Sequence, residues 1–248
     1  MIELTAYPFD RNIVAPEVSV VGPLDELGAA LMKLKVGFAW PADFRAKAKR
    51  AIKDRARAGD GGPISPHMVM DAVLEAAPPN ARITLDAGAH MIPALHQWNA
   101  TEPRQALISR GDATMGYALP AAIASALAEP ERPVIAFTGD GGLMMCAGEL
   151  GTAVQYRCNL VCIVFNDETL TLIGARQRRR QLPNAGVDFS PADFSKVAEG
   201  FGCLGIRVEQ PDELGPAMRR AFSATGPVVV DVRVNPAAYH EQLISLRG

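Results

Sequence analysis

Two aspartates stand where packing alone gives no reason for a carboxylate. Asp140 lies inside the glycine turn GDGG, directly after the apolar run VIAFT, and Asp167 closes the run LVCIVFN 27 residues later. A glycine-rich turn at the carboxyl end of a strand, opening into a helix, presents free amides and the positive end of a helix dipole, which suits phosphate. Gly139, Gly141 and Gly142 would let the backbone approach such a ligand closely. A carboxylate in the same turn repels phosphate unless a cation lies between them, so Asp140 points to Mg2+ or Ca2+, both of which take oxygen ligands. A second ligand must come from a neighbouring strand end. The next strand in sequence is the expected neighbour, and Asp167 ends it. The two carboxylates are therefore expected to converge on one metal at the carboxyl edge of a sheet. Either aspartate alone could simply cap a helix or close a turn; the joint pattern singles the pair out.

The elements that must position them read as α/β. From about residue 64, apolar runs of strand length alternate with segments of helical period, the pattern of a doubly wound parallel sheet covered on both faces. Strands are expected over 83–88, 134–141, 160–167, 204–209 and 228–234. Helices are expected over 116–129, 143–156, 191–200 and 211–224, and a further one starts at Pro66, capped by Ser65 and stopped by Pro78 and Pro79. Residues 1–35 differ, with two short strands in MIELTAYPFD and EVSVVG and a helix over 24–34. Residues 36–63 read as a linker, a basic helix fading into Gly59, Asp60, Gly61 and Gly62. The domain that carries the site is then 64–248.

The chain has 248 residues, 48% of them apolar and 21% charged, which describes a folded globular protein. A formal charge of −2 leaves no basic excess for nucleic acid or an anionic membrane surface. No apolar run reaches 18 residues and no leader pattern opens the chain, so neither a spanning helix nor a secretory signal is expected. A cytoplasmic protein with small-molecule or protein partners fits. The four cysteines show no CxxC or zinc-finger spacing and are expected to be buried free thiols. No GxGxxG follows an early strand, which argues against a nucleotide-dependent dehydrogenase.

The whole pattern resembles the thiamine diphosphate motif of the acetolactate synthase and pyruvate decarboxylase group, which runs from GDG to an Asn-rich dipeptide after a helix and an apolar strand. Here the dipeptide is Asn166-Asp167 rather than Asn-Asn. The resemblance extends from about residue 64 to 237 and implies a thiamine diphosphate-binding fold, with Mg2+ held by Asp140, Asp167 and the backbone carbonyl of Thr169. The segment TMGYALPAAI resembles the one that wraps the aminopyrimidine ring. Met115 would be the prop that bends the cofactor, and the carbonyl of Ala113, a position often glycine in this group, would accept from the amino group. DAGAH resembles the DxGxH-type loop and places His90 near the diphosphate. Glu149 falls where the group commonly has glutamate, with no catalytic role implied. Ile173, six residues after Asp167, matches the apolar side chain of acetolactate synthase-like enzymes rather than the catalytic glutamate of decarboxylases. Arg176, nine after Asp167, replaces a tryptophan that selects the second 2-oxo acid. It could clamp a carboxylate, sulfonate or phosphate, or face solvent as Arg178, Arg179 and Arg180 are expected to do. Residues 1–35 resemble the closing strands and helix of the central domain that precedes this one.

The activity implied is that of a thiamine diphosphate-dependent decarboxylase or carboligase acting on a small 2-oxo acid, a lyase or transferase. Enzymes of this group activate the cofactor with a glutamate from a separate pyrimidine-binding domain, and no segment here resembles that domain. The chain is thus expected to hold no catalytic residue of its own. It would be a C-terminal subunit or fragment, inactive until a pyrimidine-domain partner completes a hetero-oligomer or homodimer. Because Met1 opens at a strand start, a natural split enzyme is favoured over truncation. The alternative is a noncatalytic regulatory or binding subunit that keeps the fold.

Overall fold

The structure, a computed structural model, describes residues 2–8, 16–34, 40–57, 59, 62–109 and 113–247. Phe9 and Asp10 of the first expected strand, and Asp60 and Gly61 of the expected linker, lie outside the described residues. The chain divides into two compact units, Met1–Lys47 and Ala48–Gly248.

In the smaller unit, β1 (Ile2–Thr5) pairs in parallel with β2 (Val18–Val21), Ile2 opposite Val18 and Thr5 opposite Val21. Helix α1 (Leu24–Met32) follows and buries none of its residues. Helix α2 (Phe44–Ala56) begins before the division and ends after it.

The larger unit opens with α3 (Pro66–Ala76), whose first position is proline, where the missing amide costs nothing. Ser65 is the cap residue by position, yet its hydroxyl donates to the Gly59 carbonyl (3.4 Å) instead of accepting from the helix. The chain continues through β3 (Arg82–Leu85), α4 (Met91–Gln97), β4 (Ala106–Ile108), α5 (Ala118–Ala128), β5 (Val134–Gly139), α6 (Asp140–Cys146), α7 (Glu149–Gln155) and β6 (Leu160–Asn166). It closes with α8 (Thr171–Arg179), α9 (Phe194–Phe201), β7 (Leu204–Val208), α10 (Leu214–Ser223), β8 (Val228–Arg233) and α11 (Ala237–Arg247). Six strands form one sheet in the order β4-β3-β5-β6-β8-β7, each pair parallel. This is the expected doubly wound α/β fold.

Strand residues alternate between two cores, as the period of two requires. Ile135, Phe137, Ile163, Phe165 and Val230 pack on one face with Val69, Met70 and Val73 of α3 and Met218 of α10. Val134, Ala136, Cys162, Val164 and Val229 pack on the other with Leu119 and Ala122 of α5, Leu150 of α7 and Ala198 of α9. Cys158, Cys162 and Cys203 are buried in the second core, Cys146 is half-buried, and all four are free. Among the described residues no helix is long and apolar enough to cross a membrane.

Two features of this order decide where a ligand can sit. From β3 the chain crosses to β4 on one side, whereas from β5 it crosses to β6 on the other. The loops that follow β3 and β5 therefore part company at their carboxyl ends and leave a crevice, the usual ligand position of an open parallel sheet.

Several expected elements shift. The helix expected over 143–156 begins at Asp140 and breaks at Ala147 and Gly148, where Leu150 N–H bonds Ala147 O (3.0 Å) and Gly151 N–H bonds Gly148 O (3.1 Å), a tighter turn than α. The strand expected over 83–88 stops at Leu85, where the Asp86 side chain turns to the start of α5. The helix expected over 191–200 starts at Phe194, with Asp193 accepting from Lys196 N–H (3.2 Å) as its cap. Pro120 is tolerated in α5 because it occupies the first turn, where amides have no partner within the helix.

Candidate functional site

Asp86 builds the first wall. It leaves β3 with its carboxylate 1% exposed and accepts from the backbone N–H of Gly116 (3.0 Å), Tyr117 (2.6 Å) and Ala118 (3.0 Å) and from the Thr138 hydroxyl (2.8 Å). One side chain thus gathers the orphan amides at the start of α5 and ties them to β5. The loop continues to His90, 3% exposed, whose ring stacks on Phe165 with centroids 5.7 Å apart. Its Nε2 is buried with no partner among the described residues. Burial pushes the His90 pKa down to about 4 against the opposing pull of Asp86, so the ring is neutral at physiological pH.

The second wall is the turn after β5. Asp140, 4% exposed, accepts from Gly141 N–H (2.6 Å) at Oδ1 and from the N–H groups of Asp167 (3.1 Å) and Glu168 (2.6 Å) at Oδ2. A side chain at Gly142 would place its Cβ 2.1 Å from Asp86 Oδ2, and one at Gly141 would come within 2.8 Å of Leu170 and 3.2 Å of the Met115 methyl. Close approach therefore demands glycine at Gly142, where the neighbours are buried hydrogen-bonded groups, while at Gly141 the neighbours are side-chain ends that can shift. Burial raises the Asp140 carboxyl above its usual range, although four backbone amides pull the other way.

The third wall follows β6, the direct neighbour of β5, with Gly139 opposite Phe165 in register. Asp167 accepts from Thr169 N–H (3.2 Å) and from the Thr171 hydroxyl (2.6 Å). Burial, and then the charge of Asp140, push its pKa from 3.8 up to about 7. The Thr169 carbonyl accepts from Thr171 N–H (2.9 Å), which leaves its second lone pair for a further partner. Among the described residues no three His, Cys, Asp or Glu side chains gather as a metal cluster.

These walls enclose a cavity of about 260 Å3 at the crevice. His90, Ala113, Met115, Gly139, Asp140, Gly141, Gly142, Asp167, Thr169, Ile173 and Arg176 all line it, so each residue expected to touch cofactor, metal or substrate reaches one space, whereas Glu149 does not line it. Ala113 holds a left-handed backbone (φ 51°), which glycine adopts more readily. Ile173 is exposed at the mouth, and Arg176 has no ion pair among the described residues.

The family model described as "Thiamine pyrophosphate enzyme, C-terminal TPP binding domain" matches residues 86–232, from the Asp86 cap to the end of β8. The chain belongs to this family. The chain is 37% identical over 170 residues to an acetolactate synthase of Bacillus subtilis (strain 168), covering 68% of this chain and 30% of that protein. It is 32% identical over 247 residues to a catabolic acetolactate synthase of Raoultella terrigena, covering 94% of this chain and 43% of the relative. A pyruvate oxidase of Lactiplantibacillus plantarum is 33% identical over 173 residues, covering 68% of this chain and 29% of its own length. The chain thus spans less than half the length of these relatives.

Sequence reasoning missed two parts of this thiamine pyrophosphate site. Asp86 stood in the DAGAH motif, but its service to α5 depends on amides some 30 residues away and leaves no local signal. Tyr239 of α11 lines the cavity while 1% exposed, and lies beyond the last strand where no motif marked it.

Proposed function

We propose that this chain is the diphosphate-binding part of a thiamine diphosphate-dependent 2-oxo acid decarboxylase or carboligase similar to acetolactate synthase. The observation that carries the reading is the convergence of five sequence segments on one cavity at the switch point of the sheet. The donor set fits the cofactor and its metal. Two carboxylates and a backbone carbonyl are hard oxygen ligands, with no thiolate or imidazole among them, which favours Mg2+. Gly139, Gly141 and Gly142 line the cavity with backbone alone, which a phosphate can approach closely. The partnerless Nε2 of His90 is a neutral imidazole nitrogen free to bond a phosphate oxygen.

Bound thiamine diphosphate supplies the electron sink for cleaving or forming the bond next to a 2-oxo acid carbonyl. The residues of this chain bind and orient. Asp140, Asp167 and the Thr169 carbonyl would hold Mg2+, His90 would contact the diphosphate, Met115 would support the cofactor's centre, and Ala113 would offer its carbonyl to the aminopyrimidine. Ile173 and Arg176 border the substrate side. The glutamate that activates the pyrimidine comes from a pyrimidine-binding domain outside these 248 residues, so the working enzyme brings such a domain to this cavity, in a hetero-oligomer or a homodimer.

The test is calorimetric titration of thiamine diphosphate into the chain, with and without Mg2+, repeated with Asp140→Ala. Binding that needs Mg2+ and is lost in the variant is the expected result. Binding indifferent to Mg2+ or to the substitution refutes the reading. So does absence of binding when a pyrimidine-domain chain is also supplied.

A further inference from the structure

The loop after β6 turns through a left-handed residue that is not glycine. Glu168 has φ 60°, a conformation disfavoured for any residue with a Cβ. The turn has a visible product, because it brings the N–H groups of Asp167 (3.1 Å) and Glu168 (2.6 Å) onto Oδ2 of Asp140. The amides of one metal-loop strand end are thereby aimed at the carboxylate of the other. Were Glu168 to relax to negative φ, the chain beyond it would have to leave its present course or displace these two donors from Asp140.

What holds the turn comes from β8. The Nη1 of Arg233, the last residue of that strand, lies 2.6 Å from Glu168 Oε1 and 3.0 Å from Asn166 Oδ1. One guanidinium therefore bonds the residues on both sides of Asp167. The far side of this clamp is fixed as well. Asn166 is fully buried, its Nδ2 donates to Asp231 Oδ1 (2.9 Å) and Ala192 O (3.0 Å), and its carbonyl accepts from Val234 N–H (3.1 Å). Asp231 in turn is paired with Arg207 and accepts from Phe194 N–H (2.8 Å). The Arg233 and Glu168 side chains are 28% and 27% exposed, so the pair is largely withdrawn from water, where charge-assisted bonds hold geometry well.

We propose that Arg233 is a positioning residue of the metal loop: its guanidinium clamps Asn166 and Glu168, the two neighbours of Asp167, and holds the left-handed turn that presents Asp140 and Asp167 to a divalent cation. The inference rests on the reading of those two aspartates as metal ligands. It makes a prediction opposite in sign to that of charge alone. A guanidinium near a cation site repels the cation, so removing a charge with no other role strengthens Mg2+ binding. Removing a clamp weakens it.

The experiment uses Arg233→Met, Arg233→Lys and the double variant Arg233→Met with Glu168→Gln. Two readouts are taken on the full chain: amide hydrogen exchange at Asp167 and Glu168, and the Mg2+ concentration that half-saturates thiamine diphosphate binding. In Arg233→Met the two amides are expected to exchange about tenfold faster or more, and the Mg2+ requirement to rise about tenfold, the usual scale for a group that orients a metal ligand. Arg233→Lys recovers part of both, and the double variant is no worse than Arg233→Met alone. Unchanged exchange at these amides in Arg233→Met overturns the clamp whichever way the metal titration falls. A Mg2+ requirement that stays constant or drops overturns its link to the metal. Loss of Mg2+ dependence in the unsubstituted chain instead sinks the metal reading itself, with the exchange result still deciding whether the clamp exists.

Discussion

Asp86→Ala removes four acceptor contacts at one point, and the structure allows its cost to be worked out. The donors left behind are the N–H groups of Gly116, Tyr117 and Ala118 and the hydroxyl of Thr138. Gly116 and Tyr117 are half-buried and can turn to water, and the Thr138 hydroxyl can donate to Gly139 O (3.1 Å), so Ala118 alone keeps a buried donor without a partner. That donor costs about 1–3 kcal/mol, and the other three each lose a bond to a charged acceptor. Relief from burying a carboxylate offsets part of this, leaving a net loss of about 2 kcal/mol. For a unit of this size that corresponds to a fall of about 4–8 °C in Tm. Asp86→Asn behaves differently. Its oxygen still serves Tyr117 and Ala118, and Thr138 can rotate its hydroxyl to donate elsewhere and accept from the new amide. Only the half-buried Gly116 N–H then faces a donor, at a cost of about 1 kcal/mol. Thermal and urea unfolding of both variants without cofactor, followed by circular dichroism, reads the two values. An Asn variant as unstable as the Ala variant, or an Ala variant within about 0.5 kcal/mol of the parent, refutes the assignment of Asp86 as the cap of α5. Because Met115 immediately precedes the tethered amides, both variants should also weaken Mg2+-dependent cofactor binding, in the same order.

Gly142→Ala attacks the same tether from the other side: its Cβ would meet Asp86 Oδ2 at 2.1 Å and Thr138 Oγ1 at 2.6 Å, so we expect a loss of about 2–4 kcal/mol in urea unfolding. A neutral result would show that the turn moves aside freely. For pH, His90 and Asp167 pull in opposite directions. Between about 4 and 6.5 the unfolded chain binds a proton that His90 refuses in the fold, so this residue makes stability rise with pH. Between 3.8 and about 7 the fold keeps a proton on Asp167 that the unfolded chain releases, so this residue makes stability fall with pH. Each slope is at most about 1.4 kcal/mol per pH unit, so over their shared window the two nearly cancel in metal-free protein. Asp167→Asn should unmask the rising limb between pH 4.5 and 6.5, and urea profiles parallel to those of the parent would contradict this account.

How much of this could be read in the sequence follows from where each signal resides. Buried parallel strands are continuous apolar runs, so β5, β6, β7 and β8 were legible within a residue or two. The neighbour-in-sequence rule correctly paired β5 with β6 and so brought Asp140 to Asp167. It does not foretell that β6 pairs with β8 and leaves β7 at the edge, since nothing local to β7 records the crossover. The three-residue β4 is too short to carry a period. The helix break at Ala147 and Gly148 has only one glycine to announce it. Asp86 and Arg233 escaped for a physical reason, because each acts on groups 30 or more residues away in the chain, and their types are equally at home in a solvated turn.

The same residues explain what holds the rim of the cavity. Its rim contains two non-glycine residues in the left-handed region, Ala113 at φ 51° and Glu168 at φ 60°, each disfavoured alone. Such conformations persist where the surroundings over-determine them. On one side Asp86 fixes Gly116, Tyr117 and Ala118, just beyond Ala113. On the other, Arg233 grips Glu168 while Asp140 receives its amide. Burial, and then the charge of Asp140, raise the pKa of Asp167, while the Thr171 hydroxyl, the Thr169 amide and the charge of Arg233 pull it the other way. On the proposed function, a divalent ion bound by Asp140 and Asp167 would find both loops held by these bonds, and less of its binding energy would go into ordering them.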